Sequence, residues 1–146
     1  AYELEKRLEA AGYTAKCLFI SGRRVPSIPE PNPIYHLPDE EFKRELGRFE
    51  GTPKEVLENQ ELLDFFLPML RADFTMDETY YDKAGIVLHT PIAAFGGEKD
   101  GEADESAILE WGKYTDNDFN YRIFPGGHFY LRDCEDEVIS EVMRLL

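Results

Sequence analysis

The sequence predicts an α/β fold in which parallel strands are separated by helices. Three apolar runs, at residues 15–21, 90–95 and 121–124, have the length and composition of buried strands. Runs that are apolar almost throughout are typical of parallel strands covered on both faces. Helical patterns lie before, between and after these runs, and such helices provide the crossovers that parallel strands need.

The first helix is predicted at residues 1–11, where Leu4, Leu8 and Ala11 share one stripe and charged residues lie opposite. Gly12 follows at the position where glycine commonly ends a helix. No capping residue or initiator Met precedes the helix, so we expect it to begin upstream of residue 1. Because a helix followed by a parallel strand belongs to a strand–helix–strand unit, residues 1–146 are interpreted as the carboxyl-terminal part of a larger domain, without its amino-terminal strands.

Residues 39–81 have the pattern of helices. Asp39 and Thr52-Pro53 are candidate starts of two short helices, and a longer helix begins near Asn59. Pro68 is expected to kink this long helix. Apolar residues occupy nearly all of its sides, so it is expected to bury two faces or to line a cavity. A packed helical subdomain and a lid that receives an apolar acyl chain both fit this pattern.

The third apolar run ends in Pro125-Gly126-Gly127-His128. Proline cannot donate to a strand ladder, and paired glycines allow a sharp turn, so the turn presents His128 just beyond the strand. Open α/β sheets bind ligands at the carboxyl ends of their strands. A histidine there can take and return a proton near neutral pH, although a purely structural histidine also fits this turn.

The second apolar run ends in a similar turn, Gly96-Gly97-Glu98-Lys99-Asp100, and a helix predicted at residues 103–113 leads on to the histidine strand. Strand, acid, helix, strand and histidine is the order of the last two members of a Ser–Asp–His triad on an α/β-hydrolase sheet. Asp100 would then fix the tautomer of His128 and stabilise its imidazolium form. A final amphipathic helix is predicted at residues 136–146.

The composition argues against several classes of function. Sixteen basic and 30 acidic residues give a formal charge of −14, whereas nucleic acids and anionic membrane surfaces attract basic patches. No apolar run approaches the roughly 18 residues that span a bilayer. Neither a cysteine pair nor a histidine cluster suggests a metal site. The absence of a visible signal peptide and of paired cysteines favours the cytoplasm. Arg23-Arg24 could contact a phosphate, but the pair is interpreted as solvated.

Five stretches together resemble one known family. They are LFISGRRVP at 18–26, LPDEEF at 37–42, LRADF at 70–74, PIAAFGGEKD at 91–100 and FPGGHF at 124–129. In combination and order they resemble the type II thioesterases, the stand-alone editing α/β hydrolases of nonribosomal peptide and polyketide synthesis, including antibiotic biosynthesis.

The resemblance implies a carboxyl-terminal part of an α/β-hydrolase fold, with about three parallel strands flanked by helices and a helical lid insertion at about 37–85. It implies that Asp100 is the triad acid and His128 the triad base. Phe66, Leu70 and Phe74 are the lid residues expected to contact the acyl group. The implied substrate is an acyl thioester on the phosphopantetheine arm of a carrier protein, which is the expected partner, and no cofactor of the enzyme is expected.

The nucleophile is where this sequence departs from the family. The family's serine lies in a Gly-x-Ser-x-Gly elbow just before the helix that opens this chain, and no such elbow occurs among the four serines at positions 21, 27, 106 and 140. We therefore expect the 146 residues alone to hydrolyse nothing. Two alternatives remain open: a carboxylesterase acting on small esters, and a non-catalytic remnant that only binds carrier proteins.

Overall fold

The computed structural model of the protein describes residues 1–47, 49 and 51–146. This part of the chain forms two compact units. The first comprises Ala1–Val25 and Ala84–Leu146, and the second comprises Pro26–Lys83. None of the helices within the described residues is both long and apolar enough to cross a bilayer.

The first unit is built on a parallel sheet that has, among the described residues, three strands. These are β1 (Leu18–Ser21), β2 (Ile92–Gly97) and β3 (Phe119–Phe124), in the order β1-β2-β3. In the register, Leu18 pairs with Ile92, and Ile92 pairs with Phe119. Every residue of β2 is buried, as expected of a central strand. The predicted fold class, parallel strands flanked by helices, is confirmed.

The alternation of side chains along β2 divides the core of this unit between the two faces of the sheet. Ile92 and Ala94 belong to one buried cluster, together with Ile108 and Trp111. Ala93 and Phe95 belong to the other. The helices that supply these clusters are α1 (Tyr2–Ala10), α5 (Glu105–Leu109) with the 3-10 helix Glu110–Tyr114, α6 (Tyr130–Asp133) and α7 (Glu135–Leu145).

Helix α1 buries a different face from the predicted one. Leu4 is 61% exposed, whereas Tyr2 and Glu5 are buried at 4% and 2%. The Glu5 carboxylate accepts hydrogen bonds from the Thr90 hydroxyl and from the backbone of Ala15. Glu9 Oε1 accepts from the Thr90 N–H and lies 2.8 Å from the same hydroxyl, whose single proton the two carboxylates share. The face with the carboxylates is therefore buried in place of the leucine stripe, because hydrogen bonds from specific donors offset the cost of burying an acceptor.

The second unit is helical, as the sequence predicts. Its helices are α2 (Asp39–Leu46), α3 (Lys54–Leu57) and α4 (Gln60–Glu78). Pro38 and Pro53 are the N-cap residues of α2 and α3 and carry no side-chain cap, so Asp39 starts the first helix instead of capping it. The Asn59 side chain does cap α4 by accepting from the Leu62 N–H at 3.1 Å. Helix α4 continues through Pro68.

A small core and the charged side chain of Arg71 stabilise the second unit. Phe42, Leu46, Leu63 and Leu67 are buried together. Arg71 donates from Nη1 to the carbonyls of residues 35 and 37, at 2.5 and 2.8 Å. The two ends of the unit are also joined, because the Asp82 N–H donates to the Pro26 carbonyl at 2.9 Å.

Helix α4 leaves one apolar stripe at the surface. Leu62, Phe65, Met69 and Met76 are 41%, 76%, 53% and 72% exposed. Only Leu63 and Leu67 of this helix are buried among its described residues. The expectation that α4 buries two faces is therefore wrong, whereas the alternative that it lines a cavity stays a prediction.

Candidate active site

Asp100 and His128 lie in turns that follow two neighbouring parallel strands. Asp100 comes three residues after β2 ends at Gly97, and His128 comes four residues after β3 ends at Phe124. Because carboxyl ends of parallel strands share one edge of the sheet, the two turns meet there. His128 Nδ1 lies 3.0 Å from Asp100 Oδ2. The structure thus brings together the two residues that the sequence singles out, which we call the Asp100–His128 pair.

Backbone hydrogen bonds join the two turns directly. The Glu98 N–H donates to the Phe124 carbonyl, and the Lys99 N–H donates to the Gly126 carbonyl, both at 2.8 Å. Gly97 makes this approach possible, because a Cβ at this position would lie 2.1 Å from the Gly127 carbonyl oxygen. The close approach therefore requires glycine at position 97.

The carboxylate of Asp100 is fixed by donors on both oxygens. Oδ1 accepts from the N–H groups of Glu102 and Ala103, at 2.8 and 3.1 Å, which leaves Oδ2 for His128. The side chain of Asp100 is 0% exposed and that of His128 is 37% exposed. An ionised carboxylate can only accept hydrogen bonds, so the neutral imidazole carries its proton on Nδ1. Nε2 is then the basic nitrogen, as general-base catalysis requires.

The end of β1 completes the surroundings of the pair. Gly22 has φ +57°, and a Cβ on it would lie 3.1 Å from His128 Cε1 and 3.5 Å from Asp100 Oδ2. The Ser21 hydroxyl shares a 2.6 Å hydrogen bond with the Tyr130 phenol. Tyr130 is fully buried, and this burial raises the pKa of its phenol. The roles of Gly22 and Tyr130 were not predicted from the sequence, although a glycine directly after a buried strand can indicate close packing.

The predicted substrate-contacting residues Phe66, Leu70 and Phe74 lie on α4, in the second unit. Leu70 and Phe74 pack against that unit's own core. The Phe74 ring meets the Phe42 ring edge-on, with centroids 5.6 Å apart. Phe66 is half-buried and contacts the Phe65 ring. The expectation that these three side chains contact an acyl group stays a prediction.

The other two histidines are placed differently. His36 stacks edge-on with Tyr35. His89 lies before the amino end of β2, and its Nδ1 pairs with Asp116 at 2.9 Å. This pair is largely exposed, and the Asp116 carboxylate raises the pKa of His89. The described residues contain no group of three or more side chains that could hold a metal ion.

Comparison with known proteins identifies the family. The model of the thioesterase domain family matches residues 1–146. The chain belongs to the thioesterase family. The chain is 35% identical over 143 residues to the thioesterase PikA5 of Streptomyces venezuelae, covering 97% of this chain and 51% of PikA5. It is 38% identical over 130 residues to the gramicidin S biosynthesis protein GrsT of Aneurinibacillus migulanus, covering 88% and 51%. The chain thus spans about half the length of these curated relatives.

Solved structures give the same result. BorB, the type II thioesterase from the borrelidin biosynthetic cluster, is 32% identical, with a TM-score of 0.84 over 99% of this chain and 59% of BorB. YbtT, a type II thioesterase from the yersiniabactin pathway, is 30% identical, with a TM-score of 0.88 over 98% and 59%. The resemblance to type II thioesterases found in the sequence is confirmed.

Proposed function

We propose that the protein containing this chain hydrolyses acyl or aminoacyl thioesters on the phosphopantetheine arm of a carrier protein, with Asp100 as the acid and His128 as the base. The observation that carries the proposal is the 3.0 Å contact between His128 Nδ1 and Asp100 Oδ2, at the carboxyl edge of the sheet. Membership of the thioesterase family supports the reaction class. The proposed partner is the carrier protein, and the chemistry proposed needs no cofactor of the enzyme.

In the proposed reaction, His128 Nε2 takes the proton of a serine hydroxyl as the serine oxygen attacks the thioester carbon. The tetrahedral intermediate collapses, the carbon–sulfur bond breaks, and His128 gives the proton to the leaving thiolate. Water then attacks the acyl-enzyme with the same base, which releases the acid and restores the serine. Asp100 holds the imidazole and stabilises its protonated form throughout.

We propose that the attacking serine lies outside these 146 residues. Ser21 shares its hydroxyl with the Tyr130 phenol, and the Ser106 hydroxyl donates to Asp104. None of the four serines stands between glycines in a Gly-x-Ser-x-Gly pattern, which is the setting of the family's nucleophile. The 146-residue chain by itself is accordingly proposed to be inactive. A Gly-x-Ser-x-Gly coded just upstream of residue 1 would support this, and its absence there would favour a non-catalytic carrier-binding module.

We also propose that the helical segment at about 37–85 acts as a lid, with Phe66, Leu70 and Phe74 on its acyl-binding side. The exposed apolar stripe of α4 supports a helix that meets apolar material. The stripe does not include these three residues, and Leu70 and Phe74 would have to leave the unit's own core to contact an acyl group. Replacing Phe66 by Ala tests this role through the dependence of KM on acyl-chain length.

The deciding experiment replaces His128 by Ala in the full-length protein and measures hydrolysis of acyl-carrier thioesters. We expect kcat to fall on the order of 10³-fold or more, because the base is lost. His89→Ala is the matched control, since His89 also pairs with an aspartate but lies at the other end of β2. A loss within tenfold for His128→Ala would remove this residue from the mechanism. A strong preference for simple aryl esters over acyl-carrier thioesters would identify a carboxylesterase instead.

A further inference from the structure

The segment that leaves β1 connects to the loop of the triad acid. The Arg23 carbonyl accepts from Trp111 Nε1, and Arg24 Nη1 donates to the Glu102 carbonyl, both at 2.7 Å. Val25, which follows, is 2% exposed and lies in the core. Arg24 therefore extends from a backbone that is anchored on both sides.

We propose that Arg24 is a positioning residue for Asp100, acting through the Glu102 carbonyl to keep the carboxylate turned toward His128. The proposal rests on the proposed function of the Asp100–His128 pair as acid and base. Arg24 itself is not assigned any contact with a substrate.

The orientation of the Asp100 carboxylate depends on the turn that follows it. Oδ1 receives the N–H groups of Glu102 and Ala103, and this leaves Oδ2 aimed at His128 Nδ1. If the turn rotated, Oδ1 would follow its donors and Oδ2 would leave the imidazole. The alignment of the Asp100–His128 pair therefore depends on the positions of the N–H groups of residues 102 and 103.

Arg24 holds this turn from its other side. Glu102 donates through its N–H to Asp100 and accepts through its carbonyl from Arg24, so one residue connects the guanidinium to the carboxylate. Ala103, next along the chain, is 1% exposed and fixed in the core. A charged donor gives a stronger hydrogen bond to a carbonyl than a neutral one. The bond joins two segments 78 residues apart in sequence, so local turn geometry alone does not provide it.

The charge of Arg24 also acts on the start of α5. The pKa of Asp104 is lowered, chiefly by the Ser106 hydroxyl and the Ala107 N–H, with a smaller contribution from the charge of Arg24. Asp104 caps α5 directly after the turn. The charge of the guanidinium thus acts on the residue that begins the helix, in addition to its hydrogen bond with the Glu102 carbonyl.

The test replaces Arg24 by Gln in the full-length protein and measures kcat and KM for an acyl-carrier thioester. We expect kcat to fall about tenfold or more with KM within about twofold, because a misaligned base affects the chemical step and not the binding of substrate. Arg24→Lys keeps a charged donor but not the planar fork, so its kcat should lie between those of the wild type and Arg24→Gln. Arg144→Gln is the control, since Arg144 binds Glu141 on α7.

A second readout requires no turnover. The ¹⁵N shifts of the His128 ring report which nitrogen carries the proton. The wild type should show the proton on Nδ1, and Arg24→Gln should show a mixture of tautomers, while Arg144→Gln stays like the wild type. A purely structural Arg24 would change the melting temperature without changing these shifts.

Unchanged ring shifts and unchanged kcat in Arg24→Gln would overturn the proposal. If this variant does not fold, Arg24→Lys decides, and wild-type ring shifts with wild-type kcat in it would likewise overturn the proposal. Full activity of His128→Ala would instead refute the proposed function, and the ring shifts would still show whether Arg24 orients Asp100.

Discussion

Replacing Gly97 by Ala should separate the two turns that carry Asp100 and His128. The added Cβ would lie 2.1 Å from the Gly127 carbonyl oxygen and 2.9 Å from that of Gly126. Real Cβ contacts are essentially never shorter than 3.0 Å, so the backbone of one turn must move by about 0.9 Å. Because His128 directly follows Gly127, this movement displaces the imidazole.

The consequence for activity follows from the geometry of the pair. The Nδ1–Oδ2 distance is 3.0 Å, and an increase of nearly 1 Å takes it beyond the range of a hydrogen bond. A misplacement of this size can lower kcat by about 100-fold. Overpacking should also lower the free energy of unfolding by about 1–3 kcal/mol. Steady-state kinetics on acyl-carrier thioesters and thermal melts of the full-length protein measure the two effects.

Gly101→Ala is a matched control in the same turn, since a Cβ at Gly101 has nothing within 4 Å. It should keep kcat within about twofold of the wild type, because an open site costs little. If Gly97→Ala folds and keeps kcat within twofold as well, the close approach of the two turns does not position the base. The reasoning would then be refuted.

Two further predictions concern stability. Arg71→Ala should lower the free energy of unfolding by about 2 kcal/mol, because charge-assisted hydrogen bonds from one guanidinium to the backbone are lost. Urea unfolding measures this free energy. The control Arg44→Ala, at an exposed arginine, should change the free energy of unfolding by less than about 0.5 kcal/mol. Hydrogen bonds from Arg144 lower the pKa of Glu141 below its ordinary 4.5, so the stability that this carboxylate provides is present above about pH 4.5 and is lost as the pH falls through the lowered pKa. Thermal melts of Glu141→Gln should therefore show a deficit against the wild type at neutral pH that narrows in acid, and a deficit independent of pH would contradict this.

The sequence was sufficient to predict the strands and the two turns of the site. Uninterrupted apolar runs identify central parallel strands, and Gly96-Gly97 and Gly126-Gly127 mark where two of them end. Once both turns follow neighbouring parallel strands, the meeting of Asp100 and His128 follows from sheet geometry. The proximity of the two residues could be expected from topology, whereas the 3.0 Å contact also requires the close approach of the turns at Gly97.

The parts that the sequence did not predict depend on partners distant in the chain. The buried face of α1 is set by Glu5, whose acceptor role depends on Thr90, 85 residues away. Arg24 was interpreted as solvated, and its partner could not be predicted because the Glu102 carbonyl is a backbone group that no sequence pattern indicates. Helix α6, Tyr130–Asp133, was missed because a single turn has too few residues to show a periodicity.

The hydrogen bond between Pro26 and Asp82 has a consequence for the pairing of β1 with β2 during folding. These strands are separated by a long stretch of chain, and the entropy lost on closing a loop rises with its length. When Pro26–Lys83 has folded on itself, its two ends lie at hydrogen-bond distance, 2.9 Å apart from donor to acceptor. Strands β1 and β2 then pair across a connection whose two ends are already close together. Changes in the length of the intervening helices should therefore leave the kinetics of sheet assembly largely unaffected, provided that the two ends stay joined.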